Sequence, residues 1–173
     1  SGFCDAPIDV EISTGTPGAT IYTTADGSLP SPDNPAARLY TGPVRISTTT
    51  TLRAAAFQDG LFSTNVDTQT YIFPSQVERQ PASPAGLPAT WAGGFPADYG
   101  VDSRVVGSAL PGYRFRDALL SIPTLSLTAD PADLFDPSRG IYSNSQGRGP
   151  AWERAASIEL IRPDGSRGFH APC

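Results

Sequence analysis

The sequence contains no lysine and no methionine; all twelve basic residues among its 173 are arginine. Chemistry that depends on a lysine is therefore excluded: no Walker-type phosphate lysine, no Schiff base, no ATP-anchoring lysine of a kinase. Charge is sparse, at 17% of residues, and its balance of -5 is interrupted by no basic block, so nucleic acid is not expected as a partner. No apolar run approaches the roughly 18 residues a membrane-spanning helix needs. There are two cysteines, Cys4 and Cys173, and one histidine, His170, without any CxxC-type spacing, which excludes a structural zinc site assembled within the chain. The two cysteines stand at opposite ends, and two readings stay open: a staple between the termini in an oxidising compartment, or two separate thiols. The chain opens with Ser1 rather than Met, from which a processed or cropped product is expected.

What the chain has in excess is 17 glycines and 18 prolines, well above average usage, and these punctuate it with turns. No window repeats apolar residues at i, i+3, i+4 and i+7, so helix bundles and coiled coils are excluded. Ile8, Val10 and Ile12 instead alternate with Asp9, Glu11 and Ser13, the period of a strand with one buried face. Further strands are expected over 19–24, ended by Asp26-Gly27, at Leu39-Tyr40, over 44–47, over 49–57 and over 65–73. Short strands at this spacing describe an antiparallel sandwich, with a core expected from Ile12, Ile21, Val44, Ile46, Leu52, Ala54 and Val66.

The run from Pro17 to Pro30 (PGATIYTTADGSLP), then Leu39 to Pro43 (LYTGP), then Thr51 to Ala56 (TLRAAA), resembles the immunoglobulin-like module at the C-terminus of chitobiase and β-hexosaminidase. The resemblance covers residues 5–73 and implies a non-catalytic β-sandwich from a secreted, periplasmic or cell-surface protein. Ala25 departs from the pattern by entering between Thr24 and Asp26-Gly27, where the family runs straight on.

Residues 74–120 form a Pro/Gly-rich arm with breakers such as Pro81, Gly93 and Pro111 and isolated large side chains. Ordering such an arm costs backbone entropy that packing within the chain can offset in part and a partner surface more readily. Trp91, Phe95, Tyr99, Tyr113, Arg114 and Phe115 are therefore the candidate contacts with another protein or protein complex. A small β-rich unit is expected over 121–173, with strands around Leu125 to Thr128 and over 157–161. Its segments Ile122 to Leu127, Asp133-Leu134-Phe135, Gly140-Ile141-Tyr142 and Trp152-Glu153-Arg154 with Ser157 to Leu160 resemble the beginning of the CotH-type kinase family. The parts that bind ATP and metal in that family have no counterpart within this sequence, so the resemblance places no catalytic residue on it.

Chemistry is thin. Asp130, Asp133 and Asp136 could serve a hard cation, but Asp130 followed by Pro131 reads better as a helix N-cap with proline at the first helical position. His170 has no nucleophile elbow to serve. Of four glutamates, Glu11 and Glu159 lie on the polar faces of expected strands, and Glu153 fits a structural contact with Arg154 beside Trp152. The expectation is an all-β protein: an immunoglobulin-like antiparallel β-sandwich, a long irregular arm and a small second β-rich unit. Its expected role is that of a non-catalytic extracytoplasmic accessory subunit without cofactor or metal. The alternatives are the leading fragment of a CotH-type kinase and a carbohydrate-binding module using exposed Tyr and Trp rings.

Overall fold

The computed structural model describes residues 1–91, 94–110, 112–166 and 168–173. Two of the breakers named above, Gly93 and Pro111, lie outside the described residues. The N-terminal part holds seven strands: β1 (Gly2–Phe3), β2 (Ile8–Val10), β3 (Thr20–Thr24), β4 (Arg38–Leu39), β5 (Val44–Ile46), β6 (Thr50–Phe57) and β7 (Asp67–Ile72). Three short helices follow, α1 (Pro74–Val77), α2 (Ser103–Val106) and α3 (Phe115–Leu119). Next come β8 (Thr124–Ala129), α4 (Pro131–Phe135), a 3-10 turn at Pro150–Trp152, β9 (Ala156–Ile161) and β10 (His170–Pro172). The protein is thus mostly β rather than all β. Two of its helices, α2 and α4, carry side-chain caps, which leave no periodic trace: in α4 Asp130 Oδ1 accepts the Ala132 N–H at 2.8 Å, as the Asp-Pro pair predicts.

The strands form a five-stranded sheet in the order β1-β7-β6-β3-β4, a two-stranded sheet β2-β5 and a three-stranded sheet β10-β9-β8. The β1-β7 pair runs parallel, and the other strand pairs run antiparallel. In β7 successive side chains turn to opposite faces of the large sheet, so Tyr71 and Thr70 serve different neighbours. On one face Ile46, Leu52, Tyr71 and Phe73 make the core, with Ile8, Val10, Ile12, Val44 and Cys4 packed around them, which places the β2-β5 sheet over that face. On the other face Thr68 and Thr70 meet the three-stranded sheet. The large sheet is covered on both sides, and Arg53 of β6 is accordingly buried along with Leu52.

The expected core is corrected in its membership. Ile46 and Leu52 are buried, whereas Ile21, Ala54 and Val66 are only half-buried and stand outside the cluster; Tyr71 and Phe73 take their place. A six-residue strand carries apolar character on either face once both faces are covered, so alternation alone does not say which face meets which layer.

The arm is more folded than its sequence suggests. Thr90 and Pro96 form an antiparallel bridge, the Trp91 N–H donates to Phe95 O at 2.8 Å, and the Ala97 N–H donates to Ala89 O at 3.0 Å. Asp102 caps α2, and Arg116 of α3 reaches Asp5 at 2.7 Å, tying the arm back to the N-terminal part. These are local and pairwise bonds that hydrophobic periodicity does not register.

The core assignment separates two substitutions. Leu52→Ala should lower unfolding free energy by about 2–5 kcal/mol, and half-buried Ile21→Ala by clearly less. Equal losses in urea titrations of the two variants would contradict this placement of the core.

Candidate functional site

Where the two parts meet, the contact is made of hydroxyls. Thr70 Oγ1 donates to Glu159 Oε2 at 2.5 Å and lies 2.8 Å from Ser126 Oγ and 3.4 Å from Thr51 Oγ1. A hydroxyl has one proton to give, so with that proton committed to Glu159 the Ser126 hydroxyl must be the donor to Thr70. Beside this pair, Thr68 Oγ1 donates to Ser157 Oγ at 2.9 Å, with Thr68 fully buried. Glu159, expected on a polar strand face, is indeed on one, but that face is the buried one, and the residue is 2% exposed. The seam continues to Arg53, whose Nη1 donates to Gly27 O at 2.6 Å and Ser28 O at 3.3 Å. Burial pushes the Arg53 guanidinium down from its ordinary value, while Asp130 and Asp26 oppose that. Gly27 has φ +86°, and a Cβ there would stand 2.8 Å from Ala129 O, so a side chain would drive the hairpin after β3 into the end of β8.

At the open margin of this seam lies a cleft of about 440 Å³, lined by Asp67, Gln69, Glu159, Arg162, Phe169 and His170 among others. It exists because β1 pairs only with Tyr71 and Ile72, leaving the Asp67 to Gln69 stretch of β7 without a neighbour on that side. His170 Nδ1 sits 3.7 Å from Asp67 Oδ1. Among the described residues no serine, threonine or cysteine side chain hydrogen-bonds His170.

Of the six candidate contact residues, Trp91 and Tyr99 face their own chain. Their rings lie 4.9 Å apart, Trp91 meets Tyr142 at 5.2 Å, and Tyr142 meets Phe135 at 5.7 Å, all edge-on. The Tyr99 hydroxyl donates to Pro88 O at 3.0 Å, and burial raises its pKa. Phe95 and Tyr113 instead point to solvent, 69% and 71% exposed. Arg114 precedes α3 and, with half-buried Phe115, lines a separate groove beside Val106 and Glu78. The six therefore do not form one patch.

Glu153 makes no ion pair among the described residues. Arg154 instead donates to Arg139 O at 2.6 Å, stands 3.9 Å from Asp133 and lies over the Trp152 ring. Among the described residues no group of acidic, histidine and cysteine side chains is arranged to hold a metal ion. Cys4 and Cys173 are both free thiols; Cys4 is half-buried, and that burial raises its pKa.

Two outcomes follow from the seam. Thr70→Val keeps the shape but leaves the Glu159 carboxylate without its donor and Ser126 without its acceptor, and should cost about 1–3 kcal/mol while Thr70→Ser costs less. Urea unfolding that ranks the serine variant at or below the valine one would contradict the hub. The turn beneath it carries a pH signature. Burial pushes the Asp26 carboxyl up, but hydrogen bonds from the Ser28 hydroxyl and N–H, with Arg53 nearby, outweigh it and hold the pKa below the ordinary aspartate value. Its contribution is then fully present above the unfolded-state value and is lost as pH falls through the lowered folded value. The stability gap between the protein and Asp26→Ala should close over that acidic range; a gap unchanged across it would show that the charge on Asp26 is irrelevant.

No curated protein and no solved structure matches the chain. The family model described as Chitobiase/beta-hexosaminidase C-terminal domain matches residues 1–68 and does not reach the segment that resembles a CotH-type kinase. An immunoglobulin-like sandwich built from β1 to β7 is consistent with that match, and the likeness to a Chitobiase/beta-hexosaminidase C-terminal domain extends over residues 1–68.

Proposed function

We propose that this chain is a non-catalytic accessory unit that works outside the cytoplasm through contact with another protein. The observation that carries the reading is the pair of aromatic side chains the arm holds out into solvent, Phe95 and Tyr113, beside segments that are otherwise fixed by their own hydrogen bonds. A ring presented from a braced backbone loses little conformational entropy on binding, which is what interface anchors do. Trp91 and Tyr99 serve the same end indirectly: their edge-on ring chain with Tyr142 fixes the loop that displays Phe95. The extracytoplasmic placement rests on the family of residues 1–68, named for domains at the C-terminus of chitobiase and β-hexosaminidase. A glycan platform draws less support, since Tyr22 and Phe57, the rings beside a groove of about 720 Å³, stand at 84° to one another and offer no shared flat surface.

Photo-crosslinking residues placed at positions 95 and 113 of the full chain test the reading against a third placement at exposed Arg148. The expected result, in extracts of the source cells, is one protein adduct of the same mass from positions 95 and 113 and none from 148. Equal labelling from all three positions, or phosphate transfer by the chain from Mg-ATP to a protein acceptor, would overturn it.

A further inference from the structure

The three-stranded sheet is turned inside out. Its inner face carries Ser126, Thr128, Ser157 and Glu159, all directed at the hydroxyl seam. Register fixes what the other face carries: Leu125 lies opposite Leu160, Leu127 opposite Ile158, and Ile158 opposite Ala171, while the Leu160 N–H bonds Phe169 O at 2.8 Å. Those six residues, all apolar, look outward. Leu125 and Leu127 are 57% and 65% exposed, and Phe169 is exposed as well. A sheet usually hides its apolar face and wets its polar one; here the polar face is spent on the neighbouring sheet, and among the described residues no layer lies over the apolar face. Scattered exposed leucines are ordinary, but a contiguous apolar sheet face is an interaction surface.

Its size selects the occupant. Two strands of six residues and one of three span at most roughly 14 Å by 20 Å. That falls well short of the roughly 800 Å² per partner that a stable pairing of two copies requires. It does match one helix about 10 Å across and about 13 residues long. A strand added to the free edge of β8 would widen the apolar face without covering it. We propose that the outward face formed by Leu125, Leu127, Ile158, Leu160, Phe169 and Ala171 docks one amphipathic α-helix of a partner protein, lying along the strands with an aliphatic stripe against them. The proposal deepens the protein-contact reading given above and rests on it, but uses a different surface from Phe95 and Tyr113.

The test presents the full chain with two displayed peptide libraries of about 14 residues. One carries Leu or Ile at i, i+3, i+4 and i+7 among Glu, Lys, Gln and Ala; the other alternates apolar and polar residues. The expected result is enrichment from the helical library alone, and binding of the selected peptides about tenfold or more weaker to L125K/L127K. The single variant Leu127→Ser, milder for folding, should weaken binding in the same direction, with the near-ultraviolet circular dichroism of both variants retained. Enrichment of the alternating library, no enrichment from either, or binding indifferent to both variants would overturn the proposal. So would a doubled mass in light scattering that Leu127→Ser abolishes, because it would assign the face to a second copy. Crosslinks at positions 95 and 113 that persist while no helix is selected would sink this inference and leave the protein-contact reading standing.

Discussion

The hydrogen bond from Thr70 to Glu159 is the constraint on which the arrangement of the two parts depends. It joins a strand of the N-terminal sheet to the middle strand of the C-terminal one, and it brings an acidic side chain that is 2% exposed between the two sheets. Burying a carboxylate without donors costs far more than any one apolar contact returns. The chain therefore cannot place β9 against β7 in any register that takes Glu159 away from Thr70. A shift of one residue along β9 would put Ile158 or Leu160 against the threonines and turn Glu159 outward. The polar seam thus fixes register as well as contact, a task that apolar packing performs loosely.

The same seam explains the unusual faces around it. Because Thr68 and Thr70 look outward from the N-terminal sandwich, its second face is a row of hydroxyls, and only a polar surface can meet it without stranding donors. The C-terminal sheet supplies that surface with Ser126, Ser157 and Glu159, and strand alternation then sends Leu125, Leu127, Ile158 and Leu160 to the opposite side. The exposed apolar face is a geometric consequence of the buried polar one.

Much of this was legible in the sequence, in a graded way. Strands β2, β3, β5, β6 and β7 follow from alternation and turn residues, and the cap on α4 from Asp130-Pro131. The run Pro17 to Pro30 pointed to the family that matches residues 1–68. Two strands escaped for physical reasons: β1 is two residues long and pairs parallel with β7, far away in sequence, and β10 ends in a proline at its last position. The polar face of β9 was readable, but its burial was not. A polar residue on a strand is ordinarily at the solvent face, and nothing local to Glu159 says that a threonine eighty-nine residues earlier lies across from it. The arm misled for the converse reason: its order comes from single backbone bonds such as Trp91 to Phe95 and from rings meeting edge-on, neither of which has a period.

The distribution of apolar burial sets how the molecule opens. The N-terminal sandwich has a true core around Leu52, Tyr71 and Phe73, whereas on the inner face of the three-stranded sheet Ile161 is, among the described residues, the one buried aliphatic residue. A hydrogen bond exchanged for one with water contributes only about 1 kcal/mol net, so the seam specifies position more than it supplies stability. The C-terminal sheet therefore depends on the sandwich for its place and has little apolar reserve of its own. Its strands form the unit expected to detach at lower free energy, while β6 and β7 hold until global unfolding. A layer laid over Leu125 and Leu127 would add to the C-terminal sheet the apolar burial that its polar inner face does not provide. On this physical ground, docking and rigidification of that sheet are one event.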